Sequence, residues 1–212
     1  GKDLSVLNAT RATPGDIITV RQQVPMGLGH AIWCARAIVG DEPFAIFLPD
    51  ELMIAYPGGT GCMKQMVEAY SEVGGNLISV LEVPREDVSS YGVIAPGRAV
   101  SETLTEVTGL VEKPPVEEAP SNLIVSGRYI LQPEVMRVLE GQEKGAGGEI
   151  QLTDAMARMI GTQPFHAATF AGRRFDCGGK TGFVEATLAL ALERDDIGDE
   201  VRAMAERLLG RC

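Results

Sequence analysis

Apolar positions along this chain fall into short unbroken runs and longer runs with helical spacing, in alternation. The run Phe44-Ala45-Ile46-Phe47-Leu48 has no polar interruption and stops at Pro49-Asp50. Such a pattern predicts a strand covered on both faces, the central strand of a mostly parallel α/β sheet. Ligands of such sheets sit beyond the carboxyl ends of the strands, so Asp50 is a candidate for a metal or substrate; the same residue could equally cap a turn or the next helix. Further strands are predicted at Asp16 to Arg21, Asn76 to Val83, Tyr91 to Ala95, Leu104 to Val111, Leu123 to Leu131 and Pro164 to Phe170. Helical spacing predicts His30 to Val39, Cys62 to Val73, Pro133 to Glu140, Glu149 to Ile160, Thr181 to Glu193 and Asp199 to Leu209, with Val201, Met204, Ala205, Leu208 and Leu209 sharing one face of the last. Gly172-Arg173-Arg174 reads as a basic turn. The alternation predicts a single α/β domain over residues 1–212, with a largely parallel sheet flanked by helices.

Composition narrows the chemistry. With 212 residues and 45% hydrophobic content, one sizeable core is expected. The formal charge of −10, from 29 acidic against 19 basic residues, argues against a nucleic-acid partner, whose binding needs a basic footprint; a bound phosphate must be held locally. Cys34, Cys62, Cys177 and Cys212 lack CxxC or Cys/His ligand spacing, so no zinc site or disulfide framework is expected, and a reducing cytoplasm fits. No apolar run approaches the roughly 18 residues of a membrane span.

Four constellations could carry chemistry, each with a plainer reading beside it. Gln22, then Gly27-Leu28-Gly29-His30, places glycines before a helix, where backbone N–H groups can meet a ligand or simply form a tight turn. Glu112-Lys113-Pro114 ends a strand-like run with a carboxylate that can accept from sugar hydroxyls and an ammonium that can meet a phosphate, or it is a solvated strand edge. Gly92, within Tyr91-Gly92-Val93-Ile94, marks a bulge, a close ligand approach or a simple bend. Asp176, at the head of Asp176-Cys177-Gly178-Gly179-Lys180, is a second candidate metal carboxylate or part of an N-capping loop. His30 and His166 are left out, because neither nucleophile motif nor ligand spacing accompanies them.

Taken together these segments resemble the bacterial UTP-glucose-1-phosphate uridylyltransferases, or UDP-glucose pyrophosphorylases. The motifs VRQ, GLGHA, GDEPFA into LPD, YGV, VEKP, SGRYIL, GGEIQLTDA and FDCGGKTGF stand in that family's order over nearly the whole chain. The resemblance implies a Rossmann-like nucleotidyltransferase fold and uridylyl transfer from UTP to glucose 1-phosphate, giving UDP-glucose and pyrophosphate. By it, Gln22 and Gly27 would hold uracil, Asp50 would bind Mg2+, Gly92, Glu112 and Gly127 would line the glucose pocket, and Lys113 would contact phosphates. Asp50 and Lys113 would be the catalytic pair. Similarity to the wider sugar nucleotidyltransferases makes Asp176 a second metal carboxylate. A cytoplasmic homo-oligomer is also implied. The alternatives are thymidylyl or other nucleotidyl transfer, which Gln22 cannot separate from uridylyl transfer, and a noncatalytic sugar-nucleotide-binding module. The family's G-x-G-T-R-x-L-P-x-T-K triphosphate loop is missing from these residues, so an N-terminally incomplete domain is expected, one that is inactive and poorly soluble by itself.

Overall fold

The computed structural model describes residues 4–141 and 143–210; Cys212 and the outermost residues of the expected domain lie outside them. In chain order the elements are α1 (Ser5–Ala9), α2 (Leu28–Cys34), α3 (Arg36–Val39), β1 (Phe44–Phe47), β2 (Glu51–Ala55), α4 (Cys62–Val73), β3 (Asn76–Glu82), β4 (Gly92–Ala99), β5 (Leu104–Glu112), β6 (Leu123–Leu131), α5 (Glu134–Glu140), α6 (Leu152–Met159), β7 (Phe165–Thr169), β8 (Gly172–Asp176), α7 (Lys180–Leu192) and α8 (Gly198–Leu209). The α/β class with a mixed sheet flanked by helices agrees with the expectation from sequence.

Two strand expectations need correction. The six-stranded sheet has the order β1-β6-β3-β7-β5-β4, and only the β3–β7 pairing is parallel, so the sheet is not mostly parallel. The run Phe44–Phe47 is an edge strand, antiparallel to β6, and not a central one. Its alternate residues Phe44 and Ile46 pack on the core while Phe47 stays 55% exposed, under the guanidinium of Arg128. The second correction concerns Asp16 to Arg21, which forms no strand: it joins no β ladder, and Ile17, Ile18 and Val20 are exposed. β-branched composition supplies the preference, but a strand also needs a ladder partner.

A smaller antiparallel pair, β2 with β8, was not anticipated; it takes in Arg173 and Arg174, expected as a turn. The expected helix from His30 to Val39 is present in two pieces, starting at Leu28 and broken at Ala35.

The main core lies between one face of the large sheet and α2, α5 and α6. Ile78, Val80, Ile94 and Leu131 meet Val135, Leu139, Leu152 and Met156 there. On the other face Cys62 and Met66 of α4 pack on Leu77, Leu104 and Ile130. Helix α4 fits its place because Met63, Met66 and Tyr70 recur at helical spacing and Gly74, at φ 62°, stops it. Helix α7 differs, being apolar around its circumference, yet only Ala186 is buried and Phe183 and Val184 are exposed.

The strand β6 organises the site. One of its edges carries β3, while the other carries β1 over Arg128–Leu131 and β4 at Ile124. Between these partners the β3–β6 register shifts and Gly127 takes φ 65°, a left-handed conformation that a bulge exploits. A fork therefore opens between the end of β1 and the start of β4.

One buried titratable group makes the fold pH-sensitive. His166 on β7 is 9% exposed, and its Nδ1 has no hydrogen-bond partner among the described residues. Burial lowers its pKa below the ordinary value, with the Glu106 carboxylate opposing in part. As pH falls below about 6.5 the unfolded chain takes up this proton more readily than the native one, so native stability declines. Urea unfolding of the parent should show an extra loss of stability between about pH 7.5 and 5 that His166→Gln lacks; parallel profiles would refute it.

Candidate active site

The fork holds a cavity of ≈300 Å³ lined by Leu28, Leu48, Asp50, Glu51, Ser90, Tyr91, Gly92, Glu112, Lys113, Val125, Gly127, Tyr129, Gln151, Leu152 and Thr153. Five expected site residues, Asp50, Gly92, Glu112, Lys113 and Gly127, meet here from separate segments of the chain. Gln22, Gly27 and Asp176 do not line it.

The backbone around the fork explains how it stays open. At Leu48 the β1 ladder ends, its N–H donating to Gly127 O at 3.0 Å. Arg128 adds donors at that point: Nη1 to Leu48 O (3.1 Å) and Gly127 O (2.9 Å), which also accept from Glu51 N and Leu48 N, and Nη2 to Glu51 O (2.6 Å). A buried carbonyl left without a donor would cost about 1–3 kcal/mol, so one guanidinium holds the turn Pro49-Asp50 that presents Asp50. Asp50 is thus on a turn between β1 and β2, not at the tip of a central strand.

Gly92 and Glu112 sit opposite each other on β4 and β5. A Cβ on Gly92 would stand 3.2 Å from Glu112 Oε2 and 3.3 Å from Thr153 Oγ1, so this glycine leaves room for two polar groups on the cavity wall. Lys113 follows at φ 47°, the sole non-glycine residue with positive φ among those described, and its N–H donates to Tyr91 O at 3.0 Å. That turn sends the ammonium of Lys113 to within 4.0 Å of Glu112 Oε1, instead of to the opposite face as strand alternation would require. Tyr129 is buried on the wall. Burial raises its phenol above the ordinary value, with Glu112, Glu51 and Asp50 adding and Arg128 opposing, so it stays a neutral donor across the physiological range.

The β2–β8 pair brings Asp176 beside Asp50. Cys177 N donates to Asp50 O at 2.7 Å, and a Cβ on Gly178 would lie 2.9 Å from Asp50 Oδ2 and 3.2 Å from Asp176 Oδ1. Two carboxylate oxygens from distant segments therefore converge on the space that Gly178 leaves free. Oxygen donors suit a hard divalent cation. Among the described residues no group of three or more Asp, Glu, His or Cys could hold one, so a cation here would complete its shell with water and substrate oxygens.

Sequence reasoning missed Glu51, Arg128 and Arg174. Glu51 is 8% exposed and bound by both Arg174 Nε and Nη2, which makes the pair a buried bidentate ion pair. Burial alone would lower the Arg174 pKa, but the hydrogen bond and charge of Glu51, with Tyr91 adding, raise it, so Arg174 is a permanent cation. The signal was the pairing of a carboxylate at position 51 with an arginine at 174, invisible until β2 and β8 are known to be neighbours.

The glycine loop has a packing explanation. Gly27, at φ 107°, would place a Cβ 2.7 Å from Ile150 O, and Gly29 would come 2.9 Å from the same oxygen, because the segment before α6 crosses here and exchanges hydrogen bonds with Met26 and Gly29. Gln22 Nε2 donates to Gly27 O (3.1 Å) and His30 Nδ1 (2.9 Å), which fixes its amide beside that crossing.

The site is thus a cavity in a mixed α/β sheet, opened where one strand changes partners and adjoined by the carboxylates of Asp50, Glu112 and Asp176. Residues 7–193 match the family model described as nucleotidyl transferase, and the chain belongs to that family. It is 50% identical over 177 residues to a UTP–glucose-1-phosphate uridylyltransferase of Komagataeibacter xylinus, covering 84% of this chain and 61% of that protein. With the protein of the same name from Bacillus subtilis it shares 42% identity over 196 residues, 92% of this chain and 66% of that one. Among solved structures, UDP-glucose pyrophosphorylase complexed with UDP-glucose superposes with a TM-score of 0.79 at 40% identity, covering 82% of this chain and 66% of that one. The chain thus spans a little under two thirds of these relatives.

Gly127→Ala tests the fork. The substituted Cβ would meet Glu51 Cγ at 2.5 Å in a left-handed backbone conformation. The strain and overlap together should cost about 2–4 kcal/mol of stability by urea unfolding. Gly92→Ala, whose neighbours need move only slightly, should cost less than half of that.

Proposed function

We propose that this site performs uridylyl transfer from UTP to glucose 1-phosphate, giving UDP-glucose and pyrophosphate. The observation that carries the reading is the convergence of Asp50, Gly92, Glu112, Lys113 and Gly127 on one cavity. Support comes from relatives with 42–50% identity that bear the name of that activity. Residues 1–212 act, in this reading, within one nucleotidyltransferase domain.

A phosphate oxygen of glucose 1-phosphate forms a bond to the α-phosphorus of UTP, and the bond from that phosphorus to the bridging oxygen breaks, releasing pyrophosphate. The second pKa of a phosphate monoester is about 6, so the nucleophile is largely ionised at neutral pH and needs no general base from the protein. The obstacle is repulsion between two polyanions, and catalysis reduces to positioning and charge. Lys113 meets the sugar phosphate. Glu112 accepts from sugar hydroxyls, Gly92 and Gly127 let the ring approach the wall, and the neutral phenol of Tyr129 offers a donor there. A divalent cation, Mg2+ in this reading, would be held by Asp50 and Asp176 and supply charge neutralisation to the phosphoryl oxygens. Gln22, with its amide nitrogen held by Gly27 and His30, recognises the imide edge of uracil from beside Gly27. Thymine shares that edge, and the choice of uracil follows the relatives' name.

Two substitutions test the assignment. In the complete enzyme, Asp50→Asn should leave the unfolding midpoint nearly unchanged and abolish metal-supported pyrophosphate release from UTP and glucose 1-phosphate; ordinary turnover with an unshifted metal optimum would refute the role. Lys113→Ala should weaken use of glucose 1-phosphate by about 1.5–3 kcal/mol, roughly one to two decades in kcat/KM, with a much smaller effect on uridine nucleotide binding. Calorimetric binding of UDP-glucose without any pyrophosphate release by the complete enzyme would favour a noncatalytic binding module.

A further inference from the structure

Four carboxylates, Asp50, Glu51, Glu112 and Asp176, surround or adjoin the cavity, and two of them are adjacent in the chain. Glu51 is as close to the candidate metal position in sequence as any residue can be, yet both its oxygens are taken by Arg174. The same guanidinium donates from Nη2 to Asp176 Oδ2 at 3.3 Å, where Tyr91 OH donates as well at 3.2 Å. The other oxygen of Asp176, Oδ1, accepts from Gly178 N at 3.1 Å and is the one facing Asp50. Side chains of Arg174 and Glu51 are 8% and 9% exposed, so this is a built arrangement and not a surface ion pair.

We propose that Arg174 is the positioning residue of the metal site: it withholds Glu51 and Asp176 Oδ2 from the cation, leaving a sparse two-oxygen site formed by Asp50 and Asp176 Oδ1. The inference rests on the reading of Asp50 and Asp176 as metal carboxylates. A site that offered all four oxygens of Glu51 and Asp176 in addition to Asp50 would bind a divalent cation strongly without substrate. With Glu51 neutralised, the cation is held well only when phosphate oxygens complete its shell. Arg174 thereby couples metal retention to substrate, and it does so through the carboxylates and without touching substrate.

The consequence is a sign opposite to that of structural damage. Disordering the site would weaken metal binding, whereas freeing Glu51 should tighten it. Opposite charges within about 4–6 Å shift a local equilibrium by one or more decades. In the full chain, Mn2+ binding without nucleotide, followed by water-proton relaxation, should be about tenfold tighter in Arg174→Gln. Glu51→Gln should weaken Mn2+ binding, because Arg174 then turns wholly toward Asp176, and the double variant should return toward the parent value. Unchanged or weaker Mn2+ binding in folded Arg174→Gln overturns the proposal. If that variant does not fold, Glu51→Gln decides alone, and unchanged or tighter binding there overturns it. Asp176→Asn and Asp50→Asn separate the two readings. If neither alters Mn2+ binding, the metal assignment fails; if both weaken it while the Arg174 and Glu51 variants do not respond as stated, only the role of Arg174 fails.

Discussion

The structure depends on one strand being shared. A β-strand has two hydrogen-bonding edges, and β6 gives one of them to two different partners in succession, β1 and β4. Two strands cannot meet end to end along an edge without leaving peptide groups unserved at the junction, and buried peptide groups tolerate that poorly. The chain meets the constraint with two residues in sequence: Gly127 turns the backbone out of the ladder, and Arg128 supplies N–H groups to three carbonyls. The cavity is the space this junction requires. Its walls are consequently the ends of strands, which are rigid, and the side chains there are held by elements whose other faces are buried in the core.

The charges at the junction follow a division of labour. Arg128 and Arg174 are both engaged by the protein itself, one with main-chain oxygens and one with carboxylates, so neither cation is free to neutralise a ligand. Lys113 is the one cation among the lining residues. A chain with a formal charge of −10 therefore lines this cavity with several carboxylates and a single ammonium. Phosphate binding at such a wall would call for an additional positive charge.

Much of the fold was legible from the chain itself, because a helix with one buried face shows helical spacing and a strand buried on both faces shows a nearly unbroken apolar run. The limits of β6 and α4 match the expected Leu123 to Leu131 and Cys62 to Val73. Failures came where long-range pairing decides. The apolar run from Phe44 was read as central, but hydrophobic content does not tell an edge strand from an inner one when a charged side chain, Arg128, covers the exposed phenylalanine. The β2–β8 pair was hidden because the charges of Glu51 and Arg174 cancel each other only in the folded state, while Gly172-Arg173-Arg174 looks like a turn in the chain. At the site, the residues found in sequence were those at motif positions next to glycine or proline. The missed ones, Glu51, Arg128 and Arg174, act by holding others in place, and that function leaves no local pattern.

The turn at Lys113 sets a limit on improving this protein. A non-glycine residue in the left-handed region costs about 1–2 kcal/mol, and glycine or asparagine at that position would relieve much of it. Any selection for thermal stability alone would thus draw position 113 toward a residue without an ammonium group. Stability and the placement of the ammonium compete for the same backbone angle here. A thermostabilised descendant that keeps its activity should carry its gains elsewhere, for example on the exposed apolar faces of α7, and retain the strained lysine.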